Sequence, residues 1–249
     1  MKTKSLRGRV ALVTGSSRGL GRHLALALAG QGADVFIHGR RNSAAAEQAV
    51  AEVRALGARS RLVTGDVRQW HQVRELMSTV AAEYGRLDIL INNVGDFLFK
   101  PLLRLTVEEW RDMIDSNLHS AFYGCKAALP TMVQQGWGRI INVGVANADR
   151  IHAYAGAAAY AIAKSGLQIL TRSLAVEVAA QGVTVNMVSP GLMENRTLTD
   201  EARERQIHAV PMRRLGVATD LTGAVLYLLS NEAEYITGAD ITVSGGWGL

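Results

Sequence analysis

No apolar run in this chain approaches the ~18 residues of a membrane span, so no spanning helix is expected. A single cysteine, Cys125, leaves no partner for an internal disulfide, which fits a reducing cytoplasm. It falls inside the helical pattern Phe122–Ala127 and reads as a packed thiol rather than a nucleophile. The formal net charge of +5 is scattered, without a basic block or interleaved aromatics. That argues against nucleic acid as a partner and leaves an anionic small molecule. A basic start (Lys2, Lys4, Arg7, Arg9) is followed only by the short run Val10–Val13, too little for the apolar core of a secretory leader. No metal site is expected. There is neither an internal repeat nor a linker. With 249 residues, 48% hydrophobic and 20% charged, the composition suits one soluble α/β domain over residues 1–249.

The segments that are present alternate between short apolar runs and longer amphipathic ones. Arg9–Thr14, Asp34–His38, Arg59–Thr64, Asp88–Ile91, Arg139–Val143, Val183–Val188 and Asp240–Val243 read as strands. Helical patterns occupy Arg22–Ala29, Ser43–Leu56, Gln69–Tyr84, Thr106–Gln135, Ala158–Ala180 and Thr219–Leu229. Strands alternating with helices imply parallel βαβ units. The expected fold is therefore a single Rossmann-like, doubly wound parallel sheet of about seven strands with helices on both faces. Thr106 and Glu109 form a capping box at the start of the long Thr106–Gln135 segment. The stretch Leu192–Pro211 reads as a polar, charged connection long enough to be a lid.

The first strand runs into Thr14-Gly15-Ser16-Ser17-Arg18-Gly19-Leu20-Gly21 and then a helix. A strand, a glycine turn and a helix N-terminus together present backbone N–H groups to a pyrophosphate. An NAD site would place Asp or Glu at the end of the second strand, for the ribose 2′-hydroxyl. Here stand Arg40 and Arg41, with Arg18 available from the glycine turn. Guanidinium groups suit a 2′-phosphate by charge and bidentate geometry, so NADP(H) is the expected cofactor. Asp66-Val67 and Asn92-Asn93-Val94-Gly95 fall at other strand ends, on the edge where ligands of such sheets sit. Farther on, Tyr160 and Lys164 are i and i+4 on one helix, which puts phenol and ammonium on one face. A cation beside a phenol is expected to lower the Tyr pKa, the direction that favours proton donation near neutral pH.

In these motifs the chain resembles the short-chain dehydrogenase/reductase family over nearly its whole length, and within it bacterial 3-oxoacyl-acyl-carrier-protein reductases. Thr14–Gly21 is similar to the family's TGxxxGxG turn and Asn92–Gly95 to its NNAG. Asn117, Tyr160 and Lys164 match three of its four catalytic positions, and Pro190-Gly191 matches the PG after the sixth strand. The resemblance implies a cofactor site at Gly15, Ser17, Arg18, Gly19, Leu20, Gly21, Arg40, Arg41, Asp66, Val67, Asn93, Val94, Gly95, Tyr160, Lys164, Pro190 and Gly191. It also implies reduction of a carbonyl compound with Tyr160 as acid. Lys164 would bind the nicotinamide ribose, and Asn117 would place a proton-relaying water. Assembly as a homodimer or homotetramer is implied as well, compatible with Ala155–Ala163, Leu167–Val178, Trp247 and Leu249.

One position departs from the pattern. Alignment on the fifth strand puts Val145 where the family has its catalytic serine, whereas the family's usual spacing to the tyrosine falls on Asn147. Neither is serine, and valine cannot hydrogen-bond a carbonyl oxygen. Asn147 could, if the loop folds it inward, and is the expected substitute. Asp149 is another candidate, because pteridine reductases of this family carry Asp at the serine position. A pterin or imine reductase is therefore an alternative reading, and an NADPH-binding protein with little catalysis is a third. Asn195 stands where the family's PGxxxT has Thr, with Thr197 nearby.

Overall fold

The structure, a computed structural model, describes residues 5–150, 153–195 and 198–248. Among them β1 (Val10–Val13), β2 (Asp34–Gly39), β3 (Ser60–Thr64), β4 (Ile89–Asn92), β5 (Gly138–Val143), β6 (Val183–Pro190) and β7 (Asp240–Val243) form one parallel sheet. Its order is β3-β2-β1-β4-β5-β6-β7. The central strands are apolar throughout because both of their faces are covered. Val10 and Leu12 point into one hydrophobic cluster, Ala11 and Val13 into the other. Phe36 against Val35 and Ile37, and Leu90 against Ile89 and Ile91, split in the same way.

Helices α1 (Gly19–Gly30), α2 (Ala44–Ala55) and α8 (Ala218–Leu229) cover one face, burying Leu24, Leu28, Val53, Leu221 and Leu228. The other face carries α3 (Trp70–Tyr84), α5 (Ser120–Gln135) and α6 (Ala158–Val178), which bury Val73, Val80, Met132 and Ala175. Cys125 lies in this second cluster, its thiol pushed up to about 12 by burial, as a packing residue would be. Strand order reverses between β1 and β4. Crevices at such switch points are where open α/β sheets bind ligands.

Two expectations need correction. The long Thr106–Gln135 segment is not one α-helix: α4 (Val107–Ile114) and α5 are joined by a π turn over Asp115–His119. Side chains there compete for the helical carbonyls. Asn117 Nδ2 donates to Met113 O at 3.0 Å, Ser116 Oγ to Asp112 O at 2.7 Å, and Ser120 Oγ to Ser116 O at 2.6 Å. The Leu192–Pro211 connection is likewise not all loop, for it contains α7 (Asp200–Ala209), N-capped by Thr199. That helix buries no residue, so it has no apolar stripe to announce it. The Thr106–Glu109 capping box is formed as expected.

Candidate active site

At the β1/β4 switch point the two strand-end turns are tied together. Thr14 Oγ1 accepts from the backbone N–H groups of Asn93 (2.9 Å) and Val94 (3.2 Å), and Asn93 Nδ2 donates to Thr14 O at 2.9 Å. Glycine is required where they meet: a Cβ on Gly21 would stand 2.6 Å from Gly15 O, and Gly15 itself has φ +66°. The result is a cleft of about 610 Å³. It is lined by Gly15, Ser17, Arg18, Leu20, Gly21, Arg40, Arg41, Asp66, Val67, Asn93, Val94 and Gly95, all expected from sequence. Gly19 is not on its wall and instead opens α1 in the left-handed region at φ +58°.

Arg18, Arg40 and Arg41 are exposed at the cleft, and none is in an ion pair among the described residues. The N-terminus of α2, capped by Ser43, opens on the same end and adds its dipole. Cationic side chains without carboxylate partners beside a helix N-terminus form a site for phosphate. A phosphate-bearing dinucleotide therefore fits the residues present, which would hold it through the Gly15 to Gly21 turn and the arginines.

Of the cleft residues that were not expected, Arg68 and His38 make the contacts that shape it. Arg68 clamps the Asp66 carboxylate through Nε (3.0 Å) and Nη2 (2.7 Å) and reaches Asp112 on α4 at 3.2 Å. Its hydrogen bonds hold Asp66 below the usual carboxylate range. The sequence signal was the spacing Asp66-x-Arg68, an Asx turn whose Arg68 N–H also returns to the carboxylate. His38, a lone polar residue inside the apolar β2, is the other. Its Nδ1 accepts from the Gly15 N–H at 2.9 Å and its Nε2 donates to Gly65 O at 3.0 Å, so the ring is the neutral Nε2–H tautomer. Burial lowers its pKa and keeps it neutral. Removing the ring strands two partly buried backbone groups, the Gly15 N–H and the Gly65 carbonyl, under the glycine turn. His38→Leu is accordingly expected to weaken NADPH about tenfold and lower the Tm, read by fluorescence titration and thermal melting. An unchanged Kd would refute the link.

The catalytic candidates meet beyond Gly95. A Cβ on Gly95 would lie 2.5 Å from Asn117 Oδ1 and 3.3 Å from Lys164 Nζ, so the π turn and α6 converge there. Asn117 Nδ2 is spent on Asp96 O (2.8 Å) and Met113 O, while its buried Oδ1 has no partner among the described residues. A buried acceptor facing an ammonium suits a proton relay. Lys164, 4% exposed, donates to Val143 O at 2.7 Å, and its Nζ is 5.7 Å from the Tyr160 ring centroid.

The expected lowering of the Tyr160 pKa is not found. Burial pushes the phenol up to about 12 and Lys164 down to about 8. Spacing placed the two on one helix face, but desolvation outweighs the attraction of an ammonium that is itself held on a carbonyl.

The loop after β5 carries the altered serine position. Val145 is half-buried, with neighbours fixed by Gly144 N–H to Val188 O and Ala146 N–H to Pro190 O, both 2.9 Å. Pro190-Gly191 thereby packs on the same loop. Asn147 takes a left-handed φ of +68°, and its amide lies against the Gly248 backbone. Among the described residues it makes no hydrogen bond to Tyr160. Asp149 and Asn195 are at the surface, and Thr197 lies outside the described residues.

Comparison with known proteins agrees with this fold. Residues 15–248 match the family described as Enoyl-(Acyl carrier protein) reductase. The chain is 40% identical over 242 residues to 3-oxoacyl-acyl-carrier-protein reductase FabG of Escherichia coli strain K12, covering 96% of this chain and 97% of that one. It is 38% identical over 239 residues to the protein of that name from Staphylococcus aureus strain Mu50, covering 95% and 96%. A short-chain type dehydrogenase/reductase from Mycobacterium marinum superposes with a TM-score of 0.89 at 32% identity, over 99% of this chain and 97% of that one. The chain belongs to the short-chain dehydrogenase/reductase family of oxidoreductases.

Proposed function

We propose that this oxidoreductase uses NADPH to reduce a carbonyl compound, with Tyr160 as general acid. One observation carries the reading: Asn117, Lys164 and Gly95 converge beside Tyr160, at the end of a cleft whose other end holds arginines in no ion pair among the described residues. Bound there, NADPH would supply the hydride. Tyr160, which keeps its proton to about 12, donates it to the carbonyl oxygen. Lys164 would hold the ribose side and offers a positive charge as that proton leaves, and Asn117 Oδ1, without a partner among the described residues, would accept from a water that restores it.

The assay is NADPH oxidation against acetoacetyl-CoA, dihydrobiopterin and simple ketones. Turnover of ketones supports the reading; turnover of dihydrobiopterin alone would favour C=N reduction, and binding without any turnover a non-catalytic role. The surface position of Asp149 and the packing of Asn147 on Gly248 favour the ketone.

Two further outcomes follow from the site. Lys164 is a cation only below about 8, so kcat/KM for reduction should be level at lower pH and fall as pH rises through that value. Tyr160 does not limit the profile, since it ionises only near 12. A profile flat across pH 8 contradicts the role given to Lys164. Val145→Ser should raise ketone turnover about tenfold, a fraction of the roughly 100–1000-fold that such a donor contributes in a matched loop. No gain would show that the loop does not bring position 145 to the substrate.

We also infer that like subunits assemble. Ile162, Ile169 and Val176 are exposed at seven-residue steps on α6, and Phe122 and Val133 are exposed on α5, apolar side chains suited to a homodimer or homotetramer contact. Leu249 lies outside the described residues.

A further inference from the structure

Between β4 and α4, Phe97 and Phe99 remain 62% and 70% exposed at the mouth of the catalytic cleft. Large apolar rings in water are unfavourable, yet both are held in place. Phe97 meets the Tyr160 ring edge-on, with centroids 5.1 Å apart and planes at 88°. Phe99 lies over Gly156, where a Cβ would come within 2.6 Å of its ring, so glycine there makes room for it. The Lys100 N–H donates to Gly156 O at 2.6 Å and fastens this segment to the loop leading into α6. The polar side of the site is sparse by comparison. Tyr160 makes no hydrogen bond among the described residues, and Val145 supplies no second donor to a substrate oxygen.

We propose that Phe97 and Phe99 form an aryl subsite, and that the substrate is a ketone with an aromatic ring beside the reacting carbonyl. The inference rests on the reductase reading above. Phe97 and Tyr160 meet at a right angle and offer an incoming ring a face and an edge together, the two arrangements aromatic pairs prefer. With one proton donor at the oxygen, orientation falls to this apolar contact. A purely aliphatic chain gains area from the same walls but neither ring geometry.

The test compares acetophenone with cyclohexyl methyl ketone, equal in carbon skeleton but saturated, titrated by calorimetry into the protein loaded with NADP+. Acetophenone is expected to bind about three- to tenfold tighter, and Phe97→Leu, which keeps apolar bulk, to erase the difference. Equal binding, no binding of either ketone, or a preference that survives Phe97→Leu would overturn the subsite. NADPH oxidation is read in parallel: a binding preference without turnover keeps the subsite and removes the reductase reading. Conversion of an oligomer to monomers by Phe97→Leu/Phe99→Leu would show instead that the patch is a subunit contact.

Discussion

Replacing Tyr160 with phenylalanine is expected to lower NADPH-driven ketone reduction by about 10²–10⁴-fold, the usual contribution of a positioned general acid. NADPH affinity should stay within about twofold, since the hydroxyl acts on the substrate oxygen and the dinucleotide rests on other groups. The variant should fold normally. The hydroxyl makes no hydrogen bond among the described residues, so deleting it leaves no buried partner unpaired. Because the Phe97–Tyr160 ring contact survives the change, loss of rate cannot be blamed on collapse of the cleft mouth. Single-turnover kinetics with a parallel fluorescence titration measure both quantities. Loss of binding with no specific loss of rate would count against the acid role.

The second large effect concerns the cofactor. Arg40→Ala should weaken NADPH by about 10–100-fold and NADH by less than about threefold. A hydrogen bond to a charged group contributes about 1.5–3 kcal/mol, and each 1.36 kcal/mol is tenfold. Arg40 stabilises nothing else of weight: it is exposed and in no ion pair among the described residues, though its charge reaches Asp66. That carboxylate keeps its Arg68 clamp in the variant, so the floor of the cleft is preserved. Calorimetric titration of both dinucleotides into wild type and variant provides the comparison. Equal losses would refute the assignment of Arg40 to the 2′-phosphate.

The sheet was legible because its central strands are buried on both faces and spell uninterrupted apolar runs, as Val10–Val13 and Ile89–Ile91 do. Glycine turns and the positions flanking them were legible for a related reason: close backbone approach at Gly21 admits no other residue. What escaped has physical causes. Helix α7 touches no core, so composition alone could not separate it from a polar loop. A π turn shifts one hydrogen-bond register without changing the hydrophobic period, leaving Asn117, a poor mid-helix residue, as its one trace. Spacing put Tyr160 and Lys164 on one face but is silent about desolvation, which sets both pKa values. His38 acts through the Gly15 N–H and the Gly65 carbonyl, distant in sequence and brought together only by the assembled turns, while the reach of Arg68 to Asp112 depends on the packing of α4.

A crystal structure of the chain with NADP+ bears on the whole arrangement at once. Expected are the pyrophosphate over the Gly15–Gly21 turn, the 2′-phosphate within hydrogen-bond reach of Arg40, and the nicotinamide ring beside the Tyr160 hydroxyl with Lys164 on its ribose. A dinucleotide bound elsewhere, or a nicotinamide ring out of reach of Tyr160, would contradict it.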